Sequence, residues 1–433
     1  MTKQASFKHK VRTRMEKTGE RYAAARQALL RDTKAPVTDL PTVPGYRFAS
    51  SMESDHALLA GALEQAGVTD PATGKAFTET RLFGLSGGIG FMAFLFEYQD
   101  HSPLLTFVCR SWSMPEPVVS RALDYAGVKY ERSETGSAKV ARQFLDEALA
   151  RGAAVHATVD YASLPAAGVQ EMWVGGMPRQ ANIVGRQEDD YVLDVGSPAL
   201  LDAATVARVR AAAKKEKHRA FTFAAGQAAK APAEATRHAV RYTARNLVEA
   251  PVANFASNFG LAGLEKQARL CRDTKDKRGW RRGFDRGPLA CLALYRTWEG
   301  VTLELTAPAG GRALYADFLA DASHLPGLEV LAAAAALARE SAELFGRMAD
   351  DVVAAAPEVA EAVSISEEID ELQRSGDAEV GEQVRALRAK RDAVSERCQL
   401  DEESRGAVFD QVGAAFAAIH GVEFRLQEVL AGV

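Results

Sequence analysis

Cysteine is the strongest nucleophile available to a protein, and this chain has four of them, at Cys109, Cys271, Cys291 and Cys398. None stands in a CxxC pair, so the spacing points to neither a disulfide framework nor a zinc site. Cys109 ends the strand-like run LLTFVCR, where a buried, inert thiol is the usual role. The histidines show no HExxH or other metal spacing, so no metal and no cofactor is expected. The glycine-rich run FGLSGGIGF (Phe83 to Phe91) offers different chemistry. Backbone amides around Ser86, Gly87, Gly88 and Gly90 would be able to hold a carbonyl, phosphate or pantetheine group, because glycine lets a ligand come close. The same run reads equally well as a tight turn under a helix, and it lacks the Lys-Ser/Thr of a P-loop. Glu79 either lines a pocket beside it or caps a helix. The basic string RDTKDKRGWRR (Arg272 to Arg282) is read as a solvated loop or as a contact for an acidic partner.

The elements that must position these residues follow from periodicity. Residues 1–32 read as a basic helix and 1–44 as an arm with a linker, punctuated by Pro36, Pro41 and Pro44. The arm is either a docking element, for nucleic acid or a partner, or a solvated helix. Residues 45–230 form a first domain, with a helix over Ser54 to Ala66, a second short helix after Thr78-Glu79, and then strands and helices. QANIVGRQEDDYVLDVG predicts two antiparallel strands joined by a polar hairpin whose Asp189-Asp190 is exposed. Helices first and an antiparallel sheet later make an α+β pattern. Residues 235–360 are helical, with segments over 245–273, 286–303, 310–324 and 327–352, and 361–433 read as a helical hairpin or coiled-coil-like extension suited to self-association.

The 433 residues suffice for two or three domains, and a net charge of -4 argues against a protein that coats nucleic acid. No stretch reaches the roughly 18 apolar residues of a membrane span. A cytoplasmic location is expected.

The run from Asp55 to Tyr98, with LAGALEQAGV, Thr78-Glu79 and FGLSGGIGF, resembles the N-terminal domain of butirosin biosynthesis protein H. DYASLP (Asp160 to Pro165) and VLDVGSP (Val192 to Pro198) continue the likeness. The helical half, through NFGLAGLEKQARLCRDTKDKRGW and RALYADFLADA, resembles the uncharacterised domain that commonly follows. The resemblance implies a papain-like cysteine-peptidase-type fold ahead of an all-helical C-terminal domain. It also implies an acyltransferase that takes an aminoacyl group from a carrier protein. Its catalytic set would be a cysteine opening the first helix, a histidine on a later strand and an acid on the next.

Counting from Gly67 and Gly185, those places fall on Ser54, Gln180 and Asp194. No cysteine precedes Cys109 and no histidine lies between His156 and His218, so of the three only the acid is kept. A serine without an adjacent base is a poor nucleophile, and Ser54 reads as an N-cap. His56 is two residues away, on another side of the helix. Three functions compete. The first is a homologue that binds a small acyl, aminoacyl or peptide ligand or a partner such as an acyl-carrier protein. The second is an amide-forming enzyme working by template catalysis, with Asp194 orienting the amine. The third is a structural protein dimerising through its C-terminal helices.

Overall fold

The protein is described by a computed structural model over residues 40–48, 55–98, 101–112, 117–169, 173–303, 308–374 and 378–433. The basic arm and Ser54 lie outside the described residues. The N-terminal half runs α1 (Asp55–Gln65), β1 (Val68–Asp70), β2 (Lys75–Ala76), α2 (Glu79–Leu85), β3 (Ile89–Tyr98), β4 (His101–Arg110), α3 (Val118–Ala126), β5 (Tyr130–Ser133) and α4 (Ala138–Ala150). It continues through β6 (Val155–Asp160), β7 (Pro178–Gln187), β8 (Asp190–Asp194), β9 (Pro198–Leu201), α5 (Ala203–Ala212), β10 (Ala220–Phe223) and β11 (Gly226–Gln227). Side chains fix the helix starts: Thr78, Ser137 and Asp202 each accept the amide three residues on.

Six strands form one antiparallel sheet in the order β5-β10-β6-β7-β8-β9. Its two faces differ because side chains alternate along a strand. Val155, Ala157, Ile183 and Leu193 point to α4 and α5 and make an apolar core with Leu145, Ala148 and Val206. The opposite face carries His156, Thr158, Asn182 and Asp194, all buried, and α1 lies over it. An α+β fold with an antiparallel sheet is what the patterning predicted.

The second half is helical: α6 (Pro232–Asn246), α7 (Gly260–Arg272), α8 (Trp280–Gly283), α9 (Gly287–Thr302), α10 (Arg312–Ala322), α11 (Leu331–Ala354), α12 (Pro357–Gln373), α13 (Gly381–Ser395) and α14 (Glu402–Ala431). The segment read as one helix over 245–273 is instead interrupted between α6 and α7. Pro251 lies in the gap, and Gly260 has φ +55 with its Cβ position 2.2 Å from the Leu247 carbonyl, so only glycine fits there. No helix among the described residues is long and apolar enough to cross a membrane.

The hairpin β3–β4 pairs with no strand of the large sheet. It is embedded in the helical half, where Phe91 and Phe107 meet Phe416 of α14 at ring separations of 5.8 and 5.7 Å. Arg312 of α10 ties this joint. Its Nη2 donates to the Gly90 carbonyl at 2.8 Å and Nη1 to the Cys109 carbonyl at 2.5 Å, while Nε reaches Glu423 of α14 at 2.7 Å. Glu423 also accepts from Ser341 of α11 at 2.8 Å, and both Arg312 and Glu423 are fully buried.

Candidate functional site

The first turn of α1 carries a buried ion pair. Asp55 is buried there, accepting from Arg110 of β4 at 2.9 Å and from the Gln180 amide of β7 at 3.2 Å. Burial alone would raise its pKa, but the Arg110 and Arg179 guanidiniums override this and hold the carboxyl well below the usual carboxylate range. The next residue, His56, faces away from Asp55 into the turn after α2. Its Nε2 lies 2.8 Å from Ser86 Oγ, and that hydroxyl gives its own proton to the Phe83 carbonyl at 2.8 Å. Nε2 is therefore the protonated nitrogen. Burial, followed by the Arg110 charge, lowers this imidazole's pKa to about 3, so it stays neutral at any physiological pH.

Beneath the helix, three register-paired residues cross the sheet: His156 on β6, Asn182 on β7 and Asp194 on β8. His156 Nδ1 donates to Asn182 Oδ1 at 2.7 Å. Asn182 Nδ2 donates to the Leu58 carbonyl and to Tyr46 Oη, each at 2.7 Å, and Tyr46 donates to Asp194 at 2.8 Å. The other oxygen of Asp194 accepts the Gly196 amide at 2.9 Å. His156 Nε2 is buried and has no hydrogen-bond partner among the described residues. Burial also lowers the pKa of His156.

Of the residues picked from sequence, Gln180 stands at the opening of α1, half-buried, with its side-chain amide near Thr158 Oγ1 at 3.4 Å. Asp194 lies deeper under the helix, bound to Tyr46 rather than presented to a substrate. Glu79 is half-buried in the first turn of α2, where Thr78 is the cap. Ser54 lies outside the described residues.

The glycine-rich loop is closed by aromatic rings. A Cβ on Gly87 would sit 2.6 Å from the Tyr242 ring, and one on Gly88 2.4 Å from the Tyr315 ring. The amides of Gly87 and Gly88 donate to the carbonyls of Gly84 and Phe83, and the Gly87 carbonyl accepts from Thr243 at 2.9 Å. The loop is thus a joint between the two halves, and these two amides are already engaged. Gly88→Val is accordingly expected to fail as a stable fold, since φ is +53 there and tight cores resist added methyls. Soluble expression with an unchanged melting temperature would overturn that.

Two family models match the chain. Residues 54–172 match Butirosin biosynthesis protein H, N-terminal, and residues 204–380 match a Domain of unknown function (DUF4872). The chain carries a butirosin biosynthesis protein H N-terminal domain followed by a DUF4872 domain. No curated protein matches it. The butirosin-type domain contains the opening of α1 and the glycine-rich joint, and the helices that fill that joint, α6 and α10, belong to the DUF4872 match.

Cys109 is the one cysteine inside the butirosin-type domain. It sits in the hairpin core, fully buried, and burial pushes its thiol pKa up to about 12, the opposite of an activated nucleophile. Among the described residues no group of three or more His, Cys, Asp and Glu is placed to hold a metal ion. Counting from the domain's motifs overlooked the line from His156 through Asn182 to Tyr46. Its signal was present in alternation: VHATVD puts His156, Thr158 and Asp160 on one face, and polar residues recurring at every second position of a buried strand announce a hydrogen-bonded layer.

Proposed function

We propose that the protein is a butirosin biosynthesis protein H relative that binds a small acyl, aminoacyl or peptide ligand at the opening of α1 and forms no covalent bond to it. The family match supports an acyl-transfer ancestry in biosynthesis. The observation that carries the non-covalent reading is the occupant of the first turn: a carboxylate, Asp55, locked to Arg110 and the Gln180 amide. A thiolate site needs a low-pKa sulfur with a base to hand. Here the imidazoles of His56 and His156 are turned to Ser86 and Asn182 and held neutral.

Binding chemistry remains at this place. The α1 N-terminus attracts a carbonyl or carboxylate through the positive end of its dipole. Half-buried Gln180 supplies a neutral amide, and Arg179, its guanidinium 5.9 Å from the centre of the Tyr161 ring, supplies a cation at the rim. Such a set recognises an acyl group by hydrogen bonds rather than by attack.

The test is intact-mass spectrometry after exposure to an aminoacyl thioester, together with titration calorimetry using the corresponding aminoacyl amide. No mass shift is expected, Ser54→Ala should bind as the parent does, and Arg179→Ala should bind about tenfold more weakly. A covalent adduct, or thioester turnover abolished by Ser54→Ala, would overturn the reading.

A further inference from the structure

A second site lies away from α1, in the groove between α6 and α14, with α3 closing one end. The groove has a volume of about 620 Å³ and is open to solvent. Tyr125, His238, Arg241, Arg245, Val248 and Gln427 line it, and its lining holds no carboxylate. That volume is in the range of sites for nucleotide-sized molecules.

His238, Arg241 and Arg245 follow at i, i+3 and i+7, so α6 presents them on one face. Some exposed arginines of this chain reach carboxylates, as Arg339 does to Asp317, Arg397 to Glu361 and Arg425 to Glu340. Arg245, exposed in the groove, has no ion pair or side-chain hydrogen bond among the described residues, and Arg241 donates to a main-chain oxygen of Val433, the last residue of the chain, at 3.0 Å. Like charges one turn apart cost a helix a few tenths of a kcal/mol, so stability does not explain them. Two guanidiniums on successive turns can each take a phosphoryl group, whose oxygens arginine binds in a fork. Beside them the Tyr125 and His238 rings lie 5.9 Å apart at 55°, a wall suited to a planar ring.

We propose that this groove binds a small organic phosphate carrying a planar ring, with Arg241 and Arg245 on the phosphates and His238 and Tyr125 on the ring. Val248, which is 56% exposed, would be covered by such a ligand.

The experiment is calorimetry on the full chain with adenosine 5′-diphosphate and, separately, inorganic pyrophosphate. The diphosphate nucleotide is expected to bind, and pyrophosphate about tenfold more weakly because it lacks the stacked ring. Arg241→Ala with Arg245→Ala should weaken both by about tenfold or more, whereas His238→Ala should weaken the nucleotide alone. All three side chains are exposed, so circular dichroism should show an intact fold. No binding of either probe up to about 5 mM, or nucleotide affinity untouched by the double arginine variant, would overturn the site. Equal affinity for the two probes would overturn the ring wall.

Discussion

Arg312→Met is expected to destabilise the protein by about 3–5 kcal/mol, a large share of an ordinary fold's stability. The substitution removes the partner of a fully buried carboxylate, Glu423, and strands the carbonyls of Gly90, Cys109 and Gly310 that the guanidinium now satisfies. Its plane also rests over the Phe345 ring at 4.6 Å. Lysine offers one point of charge where a fork with several donors is needed, so Arg312→Lys should recover little. Removing both charges is a different experiment. Arg312→Met with Glu423→Leu leaves no orphaned charge and should be more stable than Arg312→Met alone. Urea unfolding followed by circular dichroism decides the order, and a single variant as stable as the parent would show that this pair carries no structural role.

Acid should destabilise the fold from about pH 6 downward, well before carboxylates titrate. The sign follows from the two buried imidazoles. His56 has its pKa lowered to about 3 in the fold from 6.5, so between those values the unfolded chain takes up a proton that the native state refuses. Stability is therefore whole above about pH 6.5 and is lost as pH falls. The full interval corresponds to about 5 kcal/mol for His56 alone, and His156 acts in the same direction. Asp55 adds its loss only lower, below its ordinary value of 3.8, when the Arg110 pair breaks. His56→Gln keeps an N–H for Ser86 and cannot titrate, so its melting temperature should fall less steeply between pH 6 and 4. An identical slope would place the acid sensitivity elsewhere.

The sequence displays its local structure well. Thr78 and Ser137 as caps, and the alternation in the strands from Val155 to Asp194, are short-range signals that give the α+β order and the antiparallel sheet. The first helix, with Asp55 in its opening turn, is legible for the same reason. Long-range placement was not. Nothing near Gly87 and Gly88 announces that Tyr242 and Tyr315 will cover them, since such packing depends on helices more than 150 residues away. MAFLFEY and LLTFVCR read correctly as strands, yet their apolar residues on both faces do not say which sheet or helix layer receives them. Asp194 was found by position, but that a tyrosine upstream of the first helix occupies it is a tertiary fact.

The swallowed hairpin bears on how this chain comes to be folded at all. Strands made early wait for Arg312, whose bonds to Cys109 and Gly90 span 203 and 222 positions, and then for a final helix that brings Glu423. Until that helix leaves the ribosome, Phe91 and Phe107 lack the ring of Phe416, so the core around the early strands stays incomplete through most of synthesis. A fragment cut at the seam between the two family matches would keep that liability permanently. The evolutionary reading is that these halves cannot be shuffled as separate parts: each inherits the other's core.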